Sequence, residues 1–372
     1  MKILFTGGGT AGHIFPIIAI VREIRTNHPH GDFEFFYIGP KDKFAKELLS
    51  KEGIGVKTVL AGKIRRYLSF QNIIDIIFRL PIGILQAFYH IFVISPDVIF
   101  SKGGYGSLPA VIAGWILVTP IFLHESDVSP GLANRIASKF ALEIFIAFPV
   151  EKIQYFPAKK MISIGNPIRK EVLGGSKEKA KQLFKLSGEK PVVLFLGGSQ
   201  GAQRINDTLL AILSAALRDF EIIHQTGKAN FKQVTGEAGV VVTKDLKNYY
   251  HPFPFLNEEE LAHAYQAADL IVSRAGAGSI FEISAVGKPS ILVPLERAAQ
   301  NHQIKNAYVF AEYGAALVIE GANFKPFFIL ERIKYLFSHP QKLKEMTERA
   351  KEFSRPHAAT IIAEYIVTYL SE

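Results

Sequence analysis

Ser273-Arg-Ala-Gly-Ala-Gly-Ser-Ile-Phe-Glu282 sets a glycine-rich turn just ahead of a helix that carries a carboxylate. The backbone N–H groups freed by such a turn, together with the positive end of the helix dipole, make a cradle for a diphosphate. Glu282 can accept hydrogen bonds from the paired hydroxyls of a ribose. Gly287-Lys-Pro289 and Gln300-Asn-His-Gln-Ile-Lys-Asn306 follow. His302, Gln303 and Asn306 are neutral hydrogen-bonding groups of the kind that read sugar hydroxyls. These residue types in this order suit a nucleotide joined to a sugar.

Three more glycine-rich loops carry the same theme. Thr6-Gly-Gly-Gly-Thr-Ala-Gly-His13 follows the apolar run Met1–Phe5, and Gly197-Gly-Ser-Gln-Gly-Ala202 follows Pro191–Leu196. Phe100-Ser-Lys-Gly-Gly-Tyr-Gly-Ser-Leu-Pro109 again joins a strand end to a helix, and its glycines allow close backbone approach to a second phosphate. Gly7, Gly9 and Gly12 formally spell the dinucleotide fingerprint. The acidic residue that should end the second strand is missing, because Phe33–Ile38 runs into Gly39-Pro40 and Asp42 lies beyond the turn. A nicotinamide oxidoreductase is therefore a lesser alternative. Ile121-Phe-Leu123 ends in His124-Glu-Ser-Asp127, with Asn134 and Arg135 on the helix after it. A sugar hydroxyl is a poor nucleophile and needs a base. His13 is the first candidate, since an imidazole titrates in a useful range, and Glu125 is its rival.

The elements needed to position these loops follow from periodicity. Short apolar runs bounded by glycine read as buried parallel strands, and each is followed by a helical pattern. Two strand–loop–helix units, at 1–25 and 191–217, open two similar halves, which predicts an α/β protein of two doubly wound, Rossmann-like domains. A chain of 372 residues, 48% hydrophobic and 21% charged, has room for two such cores. Cysteine is absent, which excludes disulfides and thiolate metal sites. Met1-Lys-Ile-Leu-Phe5 reaches the glycine loop too soon for a signal peptide. No pair of aspartates has metal-binding spacing, so no essential metal and no cofactor is expected.

The net charge of +9 admits nucleic acid, an anionic membrane or acidic metabolites as partners. No nucleic-acid-binding motif is present, so nucleic acid is not expected. Lys63, Arg65 and Arg66 lead into an apolar stretch containing Ile73, Ile74, Ile77 and Phe78, followed by Arg79. The next run, Leu80–Ile94, has 15 residues and includes Pro81 and Gly83, which is shorter than the roughly 20 apolar residues a membrane crossing needs. Two readings remain: a pair of core helices, or a basic and apolar surface that dips into anionic lipid. Trp115, the only tryptophan, lies in the apolar helix 110–117 and suits either.

Taken together, these motifs resemble those of the MurG-type glycosyltransferases, which add N-acetylglucosamine to the lipid-linked muramyl-pentapeptide of bacterial cell-wall synthesis. The resemblance rests on Gly8-Gly-Thr-Ala-Gly-His13 with Pro16, Lys102-Gly-Gly-Tyr105, His124-Glu125 with Asn134, and Gly165-Asn-Pro-Ile-Arg169. It continues through Gly197–Ala202 with Asn206, Arg274 to Glu282, and His302-Gln303 with Asn306. These motifs run essentially end to end. The resemblance implies the GT-B fold, two Rossmann-like domains facing across a cleft. Residues 1–164 would form an acceptor and membrane domain, and 165–349 a donor domain. The last helix, about 350–372, would pack back on the first domain.

The implied donor is UDP-N-acetylglucosamine. Phe255 and Leu256 would border the uracil, Glu282 the ribose, and His302 and Gln303 the sugar hydroxyls. Arg169, Ser199 and the backbone of Ala277, Gly278 and Ser279 would face the diphosphate, with Thr10, Ala11, Gly12, Asp127, Asn134, Gln200, Gly201 and Arg274 completing the donor site. The implied acceptor is undecaprenyl-pyrophosphoryl-muramyl-pentapeptide, its diphosphate at Gly9, Gly12, Gly103, Gly104 and Tyr105. The reaction would be a direct displacement by the acceptor C4 hydroxyl, with inversion, converting lipid I to lipid II for peptidoglycan synthesis. A peripheral place on the cytoplasmic face of the bacterial inner membrane would follow. Asp127 stands where the family's His-Glu-Gln-Asn pattern has an amide, and Ala11 where glycine is frequent. The resemblance leaves as alternatives a diacylglycerol glycosyltransferase, a UDP-sugar epimerase and, outside catalysis, a lipid-binding protein.

Overall fold

The computed structural model describes residues 1–8, 10–62, 75–197, 202–295 and 299–372. The expected roles of Gly9, Ile73, Ile74, Ser199, Gln200 and Gly201 lie outside the described residues, as do Lys63, Arg65 and Arg66. The chain divides into two compact units, Met1–Arg169 together with Pro356–Glu372, and Lys170–Arg355.

In the first unit the strands are β1 (Lys2–Thr6), β2 (Glu34–Gly39), β3 (Gly55–Thr58), β4 (Val98–Ser101), β5 (Ile121–Glu125), β6 (Glu143–Ile146) and β7 (Met161–Ser163). They are ordered β3-β2-β1-β4-β5-β6-β7, and every pairing is parallel. Helices on both faces bury the central strands, so Ile3, Leu4 and Phe5 carry no alternation and are fully buried. Strand order reverses between β1 and β4, where Phe5 pairs with Tyr37 on one side and Phe100 on the other. The loops Gly7–His13 and Lys102–Tyr105 leave the carboxyl ends of these two strands. That is the usual ligand position in such a sheet.

The second unit repeats the plan with β8 (Val192–Leu196), β9 (Glu221–Gln225), β10 (Tyr250–Phe253), β11 (Leu270–Ser273), β12 (Ser290–Leu292) and β13 (Ala316–Val318). Their order is β10-β9-β8-β11-β12-β13, again all parallel. The reversal falls between β8 and β11, which lead into Gly197 and into Arg274. The sequence reading of two doubly wound α/β units thus matches the observed sheets.

The last helix, Ala358–Ser371, belongs to the first unit. Ile362, Ala363 and Ile366 are fully buried in the same core as Ile17, Ile20 and Ile24 of the helix Ala11–Asn27. Tyr365 and Tyr369 meet the ring of Phe122 edge-on at 5.4 and 5.1 Å. Asn27 Nδ2 donates to Glu364 Oε1 at 2.9 Å, and Thr360 Oγ1 to Glu23 Oε2 at 2.7 Å.

One expectation needs correction. The apolar run from Leu80 does not stand alone, because a π-helical turn, Asp75–Arg79, continues into it to make one helix, Asp75–Ile94, of 20 residues. Its most apolar window has a mean hydropathy of 1.7 and is only 17% buried, so the reading as a core helix fails. Length and composition would suit a membrane crossing. One face, however, is packed on its own unit through Gly83, Ala87, Ile91 and Ile94. At Gly83 a side chain would collide with the Leu60 backbone, so the helix can lie this close only because residue 83 is glycine. The other face exposes Ile77, Phe78, Leu85, Tyr89, Phe92 and Val93. Trp115 on the neighbouring helix is also exposed, its ring 5.0 Å from that of Phe140.

Candidate active site

In the first unit three segments meet at the carboxyl end of the sheet. Gly8 N–H donates to Gly103 O at 2.9 Å and Lys102 N–H to Thr6 O at 2.8 Å, which stitches the two glycine loops together. Tyr37, buried beneath them, donates its hydroxyl to Gly7 O at 3.0 Å. Gly103 and Gly104 have φ near +86° and +85°, a region that side chains disfavour. A Cβ on Gly104 would stand 2.9 Å from His13 Nε2, and one on Gly103 would strike the Asn134 amide. His13 and Asn134 are therefore packed directly against this loop.

His13 Nδ1 lies 2.8 Å from Thr10 Oγ1. Burial of the ring, aided by the positive charge of Lys102, lowers its pKa to about 3. The imidazole is thus neutral across the physiological range but weakly basic, unlike the near-neutral titration expected of a free histidine. Glu125 moves the opposite way. Burial and then the Asp127 carboxylate raise it to about 7, against hydrogen bonds from Asp127 N–H and Asn134 and the charge of Lys102. Those bonds are 2.9 Å to Oε1 and 2.7 Å to Oε2. Asn134, expected at the donor sugar, thus spends its amide N–H on Glu125. His124 Nε2 donates to Gly165 O at 3.0 Å. Its pKa is held far below the usual value by burial and by Lys102.

Arg169 is buried, with its guanidinium carbon 3.8 Å from the ring centroid of Phe15 in the same unit. Thr10, Ala11 and Gly12 form the start of the Ala11–Asn27 helix, where Gly12 is open to solvent. Tyr105 is exposed on the short turn after Gly104.

In the second unit Gly276 precedes the helix Ala277–Ala285, so the N–H groups of Ala277, Gly278 and Ser279 lie at its positive end. One helical turn on, Glu282 Oε2 accepts the hydroxyl of buried Tyr265 at 3.0 Å, which aims the carboxylate. Gln303 Oε1 accepts from Leu295 N–H at 3.0 Å, while His302 opens the helix His302–Glu312. That helix is entered through Gln300 and Asn301, two consecutive non-glycine residues at φ 60° and 53°. Such strain persists where surrounding structure holds it and clusters at ligand sites. Arg274, with Arg204 and Leu295, lines a cavity of about 290 Å³. Leu256 is buried with its N–H bonded to Gln225 Oε1 at 3.0 Å, and Phe255 has Lys228 Nζ 5.6 Å from its ring.

Sequence reasoning missed Lys102, Tyr37 and Tyr265 as supports. Tyr37 and Tyr265 read simply as core aromatics. Lys102 read as one more residue of a glycine loop, although a lysine between a buried strand and two glycines has little room to reach solvent.

Two parallel α/β sheets of this order, each with a glycine loop at its reversal point, are the architecture of the GT-B fold. Solved structures agree on the fold. MurG from Acinetobacter baumannii superposes with a TM-score of 0.74 at 24% identity over 99% of both chains. A UDP-GlcNAc 2-epimerase from Neisseria meningitidis superposes with a TM-score of 0.68 at 16% identity, over 99% of this chain and 100% of its own. Residues 3–146 match the glycosyltransferase family 28 N-terminal domain and 192–361 the family 28 C-terminal domain, so the chain belongs to glycosyltransferase family 28. It is 36% identical, over 100% of its length and 99% of the relative's, to a UDP-N-acetylglucosamine–N-acetylmuramyl-(pentapeptide) pyrophosphoryl-undecaprenol N-acetylglucosamine transferase of Bacillus cereus. A transferase of the same description from Clostridium tetani is 36% identical over 92% of this chain and 91% of its own.

Proposed function

We propose that this enzyme transfers N-acetylglucosamine from UDP-N-acetylglucosamine to undecaprenyl-pyrophosphoryl-N-acetylmuramyl-pentapeptide, converting lipid I to lipid II. The observation that carries the reading is end-to-end identity with transferases of that activity, at 36% over all 372 residues. The epimerase shares the fold alone, at 16% identity.

The second unit binds the donor, with the helix N-terminus at Ala277–Ser279 on the diphosphate, Glu282 on the ribose, and His302 and Gln303 on the sugar. The first unit binds the acceptor diphosphate at the loops around Gly12 and Gly103-Gly104-Tyr105. The acceptor hydroxyl gives its proton to Glu125 as its oxygen attacks the anomeric carbon. The bond to UDP breaks, and its electron pair leaves on the diphosphate. Helix dipoles and Arg274 stabilise that charge. Of the two candidate bases we take Glu125, whose proton affinity lies near neutral pH, where general bases are most effective. His13, held neutral, orients the incoming group. The exposed face of Asp75–Ile94, with Trp115, rests in the lipid interface beside the acceptor's membrane anchor, on the cytoplasmic face of the membrane.

The test is UDP release from UDP-N-acetylglucosamine with and without a short-chain lipid-linked muramyl-pentapeptide. Acceptor-dependent release with a disaccharide product is expected. Release with UDP-glucose and diacylglycerol instead would move the enzyme to the related lipid glycosyltransferases. Glu125 must be ionised to accept a proton, so kcat should fall as pH drops through about 7. Glu125→Gln should abolish that limb.

A further inference from the structure

Lys102 is among the largest fully buried side chains of the protein, at 1% exposure. A buried ammonium is costly to desolvate, and lysine is almost never fully buried unless it is paired. Packing alone does not require a cation here. The charges around Lys102 come from each segment that meets at the site. Glu125 and Asp127 lie at and after the end of β5, His124 precedes them on that strand, and His13 comes from the Ala11–Asn27 helix. Its Nζ donates to Ser126 Oγ, between the two acidic residues. Its own backbone N–H donates to Thr6 O, and the O of the next residue, Gly103, accepts from Gly8 N–H. The charge of the ammonium thus acts on two carboxylates and two imidazoles, and its hydrogen bond to Ser126 holds it beside the segment that carries the carboxylates.

We propose that Lys102 is a positioning residue for glycosyl transfer, its buried ammonium supplying the counter-charge that lets Glu125 stand ionised beside Asp127. Burial and the neighbouring Asp127 charge both favour the protonated form of Glu125, and a protonated Glu125 cannot take another proton from the acceptor hydroxyl. With Lys102 present, the resting cluster carries charges of +1, −1 and −1. Proton transfer from the hydroxyl neutralises Glu125 and leaves Lys102 balanced against Asp127. The proton is then lost to solvent after product leaves. The partly lowered proton affinity of Lys102, at about 8, and the raised one of Glu125, at about 7, fit this shared environment. The inference rests on Glu125 being the proton acceptor.

Two readouts on the full-length enzyme keep those ideas apart. The carbonyl stretch of protonated Glu125, assigned by its loss in Glu125→Gln, reports the carboxyl's midpoint by infrared difference titration without turnover. The pH profile of kcat reports the base. In Lys102→Met the Glu125 midpoint should rise, since the positive charge of Lys102 is one of the influences that hold it down. Lys102→Arg, which keeps the cation, should restore it. Asp127→Asn should move the midpoint down. An unchanged Glu125 midpoint in Lys102→Met overturns the proposal. If the infrared midpoint moves and the kcat profile does not, the assignment of Glu125 as base falls, and with it Lys102 as a positioning residue for transfer. If Lys102→Met does not fold, the charge-balanced pair Lys102→Met with Asp127→Asn is compared with Asp127→Asn alone. The same upward shift is then expected, and its absence counts against the proposal.

Discussion

Gly104 shows how tightly single residues constrain the first site. Its φ of +85° is strained for any side chain, and an added methyl would press on His13 Nε2 at 2.9 Å. Gly104→Ala should therefore lower stability by about 1–3 kcal/mol, because positive φ with a ψ of 164° is a region essentially confined to glycine. It should also raise the acceptor KM more than the donor KM, because the displaced ring belongs to the loop proposed above to bind the acceptor. Thermal unfolding and separate saturation curves for the two substrates check this, and equal effects on both substrates would contradict it. The glycine itself was legible in sequence as a loop residue. The packing of His13 into the space left by its missing Cβ was not, since that contact joins segments about ninety positions apart.

At the scale of elements, strand–glycine–helix units could be read directly, because buried parallel strands are continuous apolar runs and glycine marks their ends. The helix Asp75–Ile94 was underestimated for a physical reason. Asp75 and Arg79 look like polar punctuation, but Arg79 Nη1 donates to buried Asp75 Oδ1 at 2.8 Å one turn away, so the two charges compensate each other inside the helix. Lys102 escaped notice for a related reason, because its burial is made by the convergence of residues 6–8, 101–104 and 124–127. The exposed face of Asp75–Ile94 makes a direct prediction. Leu85 and Phe92 are 70% and 68% exposed, so Leu85→Glu with Phe92→Glu should leave the fold intact. Burying a leucine or phenylalanine is worth about 1.5–3 kcal/mol, so binding to anionic vesicles should weaken by at least about tenfold. Unchanged partitioning would remove this helix from the lipid interface.

At the scale of the whole molecule, the first unit is built from both ends of the chain. Its sheet is complete by Ser163, yet its core includes the helix Ala358–Ser371, which follows the intervening unit in sequence. The intervening unit, Lys170–Arg355, has a separate core of its own around residues such as Val193, Leu209 and Leu213. Ile366 is fully buried in the first core, whose members outside its own helix run from Ile3 to Ile164. Ile366→Ala should therefore cost about 2–5 kcal/mol, the range for an isoleucine truncated in a packed interior. The loss should fall on the first unit alone. In a calorimetric scan with UDP, which by this reading binds and stabilises the second unit, the substitution should lower the transition that UDP does not raise. A single transition lowered as a whole would mean instead that the two cores unfold as one cooperative body.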